Sequence, residues 1–516
     1  MNKKYLLMPA LMGVLALASC DIAIILPGHS SANHGQESVS FDTSKTEYEN
    51  VSTVSTSIVQ SDVTDSTDEH SLKSLGNQNI LVIPVTIKGY EKNATAANKA
   101  RLEKCFFGDS SDTSWESLSS YYKKSSYGKL NITGTVSDWF ACGYTPSQIA
   151  SFDGSDYNFS SQYDPTWTIL EEAVAWYKKT TGDDCKQFDN DGDGYIDGIW
   201  LVYSAPDYSV NQSLDSNVFW AYTFADYEWE GNVNSPVGYH YCWGSYDFMD
   251  EGYGKYGIDA HTFIHETGHL MGLDDYYDYN NTCSPMGYVD MMDANVIDHC
   301  AYSKFALGWI EPYLVSDSTE IVLKPSSTSG QAIILPTNGG FNGSAFDEYI
   351  MMEFYTPDVL NSKDSSSPYS TGIQGFTERG VRIYHVDARL ATSHYSTTRK
   401  TWSDMSYTDT LKSSSYDLTV VAHTNTVKTS SADSYNYLNP SYRLIQLIDC
   451  SGKNYGKTVK QAGNSTLFQN GDTFSFSKFS NQFPSSSKMN DGTSFDFTVS
   501  FSNMTGESIK VTISKA

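Results

Sequence analysis

His265-Glu266-Thr267-Gly268-His269, followed by Gly272 and Asp275, gathers metal-binding and proton-transferring side chains into one short stretch. Residues four apart on an α-helix are rotated by only about 40° around its axis, so His265 and His269 project from one face and can share a metal ion. Zinc held by two imidazoles takes a third protein ligand and keeps a position for water, whose acidity it raises. Glu266 stands where its carboxylate can take a proton from that water and pass it to a leaving group. Gly272 lets the chain leave the helix and swing back, which brings Asp275 within ligand reach. The pattern H-E-x-x-H-x-x-G-x-x-D, with a downstream Met291-Met292 pair that can form a methionine turn beneath the metal, predicts peptide-bond hydrolysis with Zn2+ at His265, His269 and Asp275 and Glu266 as general base.

Spacing leaves Asp274, Asp290 and His299 as competitors of Asp275. No glutamate lies between Glu266 and Glu311, and the residues around Glu311 do not look like a second ligand-bearing helix. A glutamate third ligand of the thermolysin kind is therefore not expected. His261, one turn before His265 on the same face, reads as first-turn packing or hydrogen-bond support rather than a ligand.

A second cluster occupies residues 189–197, where Asp189, Asp191, Asp193 and Asp197 fall at loop positions 1, 3, 5 and 9 and Gly194 at position 6. That arrangement wraps a hard cation in oxygens, and like charges packed so closely repel without one. It departs from an EF-hand, because position 12 is Trp200 and a strand follows. The expectation is a structural Ca2+.

These loops need elements to carry them. Hydrophobic periodicity predicts helices over 114–125, 166–181, 259–273 and 299–309, and strands over 79–88, 130–136 and 199–203. The helix 166–181 has Ile169, Leu170, Ala173, Val174 and Tyr177 on its inner face. Beyond residue 315 the pieces are strand-like: 320–323, 349–354, 380–386, 443–447, 495–501 and 509–513, the last two forming a hairpin. The fold class predicted is an α+β zincin (metzincin-like) catalytic domain over 78–314, followed by an all-β antiparallel sandwich-like domain over 315–516. The 37 tyrosines fit half-buried strand faces and mark no carbohydrate platform.

Residues 1–20 read as a lipoprotein signal peptide: Lys3 and Lys4, an apolar run too short to span a bilayer, and Leu17-Ala18-Ser19-Cys20, with Cys20 the lipidated residue. Residues 21–77, rich in Ser, Thr and Asp, read as a disordered tether, with a short propeptide as the competing reading. An exported, surface-exposed protein follows, held to the membrane through the lipid at Cys20. The other seven cysteines show no C-x-x-C spacing and permit up to three disulfides with at least one thiol left over. A net charge of −27 argues against nucleic acid as a partner. Protein or peptide substrates and a monomeric chain are expected.

With those pieces placed, the chain resembles the immune-inhibitor-A-like family of secreted bacterial zinc metalloproteases. The resemblance runs through SLSSYYKKSSYGKLNITGTV, FDNDGDGYIDGIWLVY, IDAHTFIHETGHLMGLDDYYD, YVDMMDANVIDHCAYSKFALGWIEP, EYIMMEFY, GVRIYHVDARL and YRLIQLID. It implies an endopeptidase with zinc at His265, His269 and Asp275, Glu266 as base, Met292 as methionine turn, and calcium at the acidic loop. Two departures stand out. Ala294 lies where an astacin-like enzyme has an oxyanion-stabilising tyrosine, leaving Tyr277 or Tyr288 for that role, and a short tether replaces a longer propeptide. His385 and Asp387 read as hinge or packing residues. The rival readings are a non-catalytic surface-binding lipoprotein on a protease fold, against which an intact Glu266 weighs, and a zinc-dependent deacetylase or other amide hydrolase.

Overall fold

The computed structural model describes residues 46–63, 70–152, 166–225, 230–369, 372–396, 401–411, 417–427 and 438–516. Cys20 and the stretch 1–20, read from the sequence as a signal peptide, lie outside them. Strand side chains alternate between two faces, and in the first sheet both faces are covered. Leu130–Val136, Gly76–Thr86, Ile199–Tyr203 and His240–Ser245 run parallel in that order, and Tyr222–Ala225 closes the edge antiparallel. Ile80, Val82, Trp200 and Val202 enter one core, whereas Leu81, Ile83, Ile199 and Leu201 enter another. The helix Trp167–Thr181 covers the second face with the five residues expected of it and stops where Gly182 adopts a φ of 75°. The helices Ala96–Phe107, Leu118–Ser125 and His261–Leu270 contribute to the first core.

A second, six-stranded sheet is ordered Val51–Thr53, Tyr313–Val315, Ala332–Pro336, Glu348–Tyr355, Gly380–Asp387, Ile445–Ile448. Its Ile333, Leu335, Ile350, Met352 and Ile383 pack with Phe474, Val499, Phe501, Val511 and Ile513 of an antiparallel four-stranded sheet, Thr319–Leu323, Ile509–Lys515, Phe497–Ser502, Thr473–Ser475. Its other face, with Ile334, Tyr349, Met351, Tyr384 and Val386, joins the core that contains the helix His261–Leu270. Leu390–Ser396, Thr401–Thr408 and Asp417–Val421 form a separate small antiparallel sheet. The whole is mixed α/β with several sheets.

Three expectations change. The stretch 21–77 is not tether throughout: Val51–Thr53 pairs with Tyr313–Val315, Val63 and Leu72 are buried, and the first long strand starts at Gly76. Polar, short segments gain their order from burial against the rest of the fold, which local composition does not record. The boundary expected between residues 314 and 315 falls inside a strand, because Tyr313–Val315 is interior to the six-stranded sheet and the two halves share a core. The second half is not all-β, since it carries short helices at Ser326–Ser329, Ser362–Ser366 and Phe476–Phe479, and its strand Ala332–Pro336 pairs in parallel with Tyr313–Val315 across the expected boundary. The seven cysteines within the described residues are all free, and six of them are buried. Among the described residues no helix is long and apolar enough to cross a membrane.

Candidate metal centre

The helix His261–Leu270 is fixed to the first sheet by Phe263 and Ile264 and by Trp200 Nε1 donating to Thr267 Oγ1 at 3.0 Å, and to the helix Leu118–Ser125 by Tyr122 OH donating to the Ile264 carbonyl at 2.6 Å. Past its end Gly272 takes a φ of 86°, a conformation that a side chain disfavours. The turn it makes returns Asp275 to the helix.

His265 and His269 each direct Nδ1 at a backbone carbonyl, that of Met291 at 2.8 Å and that of Leu273 at 2.6 Å. A carbonyl only accepts, so both Nδ1 atoms carry hydrogen, and in the neutral rings each Nε2 is left to present a lone pair. The two Nε2 atoms are 3.2 Å apart, and Asp275 Oδ1 lies 3.0 Å from that of His265 and 3.3 Å from that of His269. Donors about 2.1 Å from one centre at tetrahedral angles stand about 3.4 Å apart, so this triangle has the dimensions of three zinc ligands. Three facing acceptors also require positive charge between them. Burial pulls His269 down, but Asp275 outweighs it and raises the imidazole to about 10, while Asp275, despite its burial, is held well below the usual carboxylate range by His269 and His265.

Glu266 is nearly buried beside this triangle. Thr223 Oγ1, on the edge strand Tyr222–Ala225, donates to the Glu266 carbonyl at 3.0 Å and lies 3.4 Å from Oε2. Met292 packs beneath the helix: a Cβ added to Gly268 would meet its Sδ at 2.6 Å. Asp290 caps that turn, accepting from the amides of Met292 and Cys300, and His299 is buried among Tyr121, Tyr122 and Trp309. Neither joins the triangle. Tyr288 OH reaches Asn281 Oδ1 at 3.4 Å, and Tyr277 packs against the ring of Tyr279. Tyr279 does reach a triangle residue, its hydroxyl donating to Asp275 Oδ2. Sequence reasoning missed Tyr279 and Thr223, since neither belongs to a recognisable spacing. His385 pairs with Glu348 at 2.8 Å, and Asp387 takes Arg389 through two bonds of 2.7 and 2.8 Å, both inside the second half.

His261 is a support, not a donor. Its ring stacks on Trp115 with centroids 4.1 Å apart, while Nδ1 lies 3.0 Å from Asp259 Oδ1 and Nε2 3.5 Å from Asp364 Oδ1. Burial lowers its pKa, but the two carboxylates more than compensate and lift it to about 9. With the folded value above the unfolded one of about 6.5, this cluster stabilises fully below the lower value and loses its contribution, roughly 3 kcal/mol, as pH rises through the higher. Urea midpoints should therefore fall between about pH 6 and about pH 10, and His261→Gln should flatten that fall. An equal slope in both proteins would rule the cluster out as its source.

In the acidic loop, Asp189, Asp191 and Asp197 bring donor oxygens within 4.8 Å of one another. Asp189 accepts from the amides of Gly192 and Gly194 at 2.7 and 3.0 Å. Gly194 is required there, because its φ is 96° and a Cβ would stand 2.6 Å from the Asn232 amide. Asp197 is fully buried; Oδ2 accepts from the Asn190 amide at 2.5 Å, and Oδ1 has no hydrogen-bond partner among the described residues. Burial, with repulsion from Asp191 and Asp193, pushes this carboxyl up to about 7. An orphan buried oxygen beside two further carboxylates fits a hard cation. Asp193, expected as a fourth ligand, turns instead to His70 Nδ1 at 2.6 Å, a ring held by stacking on Tyr195 at 3.8 Å.

No protein-family model matches the chain, and no curated protein matches it at a significant level.

Proposed function

We propose that this chain is a zinc-dependent endopeptidase with a metzincin-like catalytic half, similar to the immune-inhibitor-A-like secreted metalloproteases and exported to the cell surface on a lipid at Cys20. The observation that carries the reading is the triangle of His265 Nε2, His269 Nε2 and Asp275 Oδ1, at 3.0 to 3.3 Å, with Glu266 beside it. When bound there, zinc would supply Lewis acidity toward a peptide carbonyl and toward water. The Glu266 carboxylate takes the proton of the attacking water and delivers it to the nitrogen of the departing amine. The Nδ1 bonds to the Met291 and Leu273 carbonyls hold both imidazoles in the donor tautomer throughout. Tyr222–Ala225, the edge strand whose Thr223 bonds the Glu266 carbonyl, would offer backbone groups to an extended peptide.

The purified chain should digest denatured casein, lose that activity on dialysis against a zinc chelator, and regain it with about one zinc per chain. Cleavage indifferent to the chelator, or no cleavage across an unbiased peptide library, would reject the reading.

The acidic loop serves as a structural calcium site in this proposal, held by Asp189, Asp191 and Asp197. With zinc held constant, calcium at about a hundred times its dissociation constant should stabilise the wild-type chain by roughly 2.7 kcal/mol. A chain carrying both Asp189→Ala and Asp191→Ala should show no such response in thermal scans. A wild-type melting temperature indifferent to calcium would exclude the ion.

A further inference from the structure

We propose that Tyr279 is a positioning residue of the metal centre and that through its loop the C-terminal half of the chain sets the geometry of the third ligand; the inference rests on reading His265, His269 and Asp275 as a zinc site. Asp275 has two oxygens with different tasks. Oδ1 faces both imidazoles, at 3.0 and 3.3 Å, while Oδ2 accepts the hydrogen of Tyr279 OH. A phenol bound to one oxygen opposes rotation of the carboxylate and opposes its turning both oxygens to the ion, so it selects a single, oriented donor.

Tyr279 is itself held from the other half of the chain. Its amide donates to Thr426 Oγ1 at 3.3 Å, and its ring meets that of Tyr277 edge-on with centroids 5.2 Å apart. Three more bonds stitch the loop around it to the same segment. Asn425 Nδ2 donates to the Tyr276 carbonyl at 2.8 Å, the Val427 amide to Asp278 Oδ1 at 2.9 Å, and Asn280 Nδ2 to the Val427 carbonyl at 2.6 Å. Asn425 is fully buried, and its Oδ1 accepts from the Ile445 amide at 3.1 Å. Ile445 opens the edge strand of the six-stranded sheet. A continuous run of hydrogen bonds thus leads from that sheet through Asn425 to the residue that follows Asp275, and Thr426 holds the residue whose hydroxyl orients it. The C-terminal half is in this way a part of the metal centre and not only a support beneath it.

The experiment compares the full exported chain with its Tyr279→Phe and Thr426→Val variants. Zinc affinity is read by competition with a chromophoric chelator, kcat and KM on a peptide substrate at saturating zinc, and ligand geometry from the visible spectrum of the cobalt-substituted protein. Tyr279→Phe should weaken zinc binding about 10- to 100-fold, lower kcat at unchanged KM, and shift the cobalt bands. Thr426→Val should act in the same direction by a smaller factor. A Tyr279→Phe chain that binds zinc as the wild type does, with unshifted cobalt bands, overturns the inference; a fall in kcat in that chain would then assign the hydroxyl to the reacting atoms. A wild-type chain that binds no zinc removes the parent reading, a result distinct from either.

Discussion

Glu266→Gln is expected to lower kcat about 10²- to 10⁴-fold while leaving KM and zinc content near their wild-type values. The substitution is nearly isosteric, and the firm bond at this position, from Thr223 Oγ1 at 3.0 Å, goes to the backbone carbonyl of Glu266 and not to its side chain. The 3.4 Å contact of the same hydroxyl with Oε2 is long enough to contribute little to holding the helix. What an amide cannot do is accept the proton of the attacking water, so the loss should fall on the chemical step. Zinc measured in the same samples separates this from collapse of the site. Hydrolysis at more than about a tenth of the wild-type rate would mean that the proton leaves by another route, and the carboxylate would lose its assigned part.

Much of the site was legible because its geometry is local. The turn of a helix sets the separation of His265 from His269, and a glycine at a positive φ sets the return of Asp275, so three donors met as their spacing predicted. Local periodicity served equally well for Trp167–Thr181, whose inner face held all five residues assigned to it, and for Ile199–Tyr203. What escaped is what depends on distant chain. His240–Ser245 is buried on every residue and shows no alternation, and Tyr222–Ala225 is too short to carry a period; both become strands through pairing with neighbours already in place. The segment Val51–Thr53 is polar by composition and ordered by pairing with Tyr313–Val315. Asp193 was counted with the other loop carboxylates on spacing alone, and His70, over a hundred residues away in sequence, draws it off. Tyr279 escaped for the same reason: a hydroxyl four residues past Asp275 has meaning only once the loop has folded back under the restraint of residues 425–427.

Asp275→Asn should cost at least about a hundredfold in zinc affinity, more than the loss of an outer hydrogen bond, because it removes charge from a donor itself. The mutant amide has two orientations. With its oxygen toward the imidazoles it would offer the ion only a neutral donor, and the Tyr279 hydroxyl must reverse its role to accept from the NH2 group; with its oxygen toward Tyr279, N–H groups point at the two Nε2 atoms, where the proposed cation would sit. The three competitors that spacing leaves open are each held in place. Asp290 is fully buried with Oδ1 on the Met292 amide at 2.8 Å and Oδ2 on the Cys300 amide at 2.9 Å, and leaving that post would uncap the short helix Met291–Ala294. His299 is enclosed by Tyr121, Tyr122 and Trp309, and Asp274 accepts from the Asp275 amide at 2.9 Å. Dialysed Asp275→Asn protein should consequently be free of zinc and inert toward casein while its far-ultraviolet circular dichroism matches the wild type. Zinc retained at wild-type affinity would place the third ligand elsewhere, and the 3.0 Å approach of Asp275 to His265 would then be an ordinary buried ion pair.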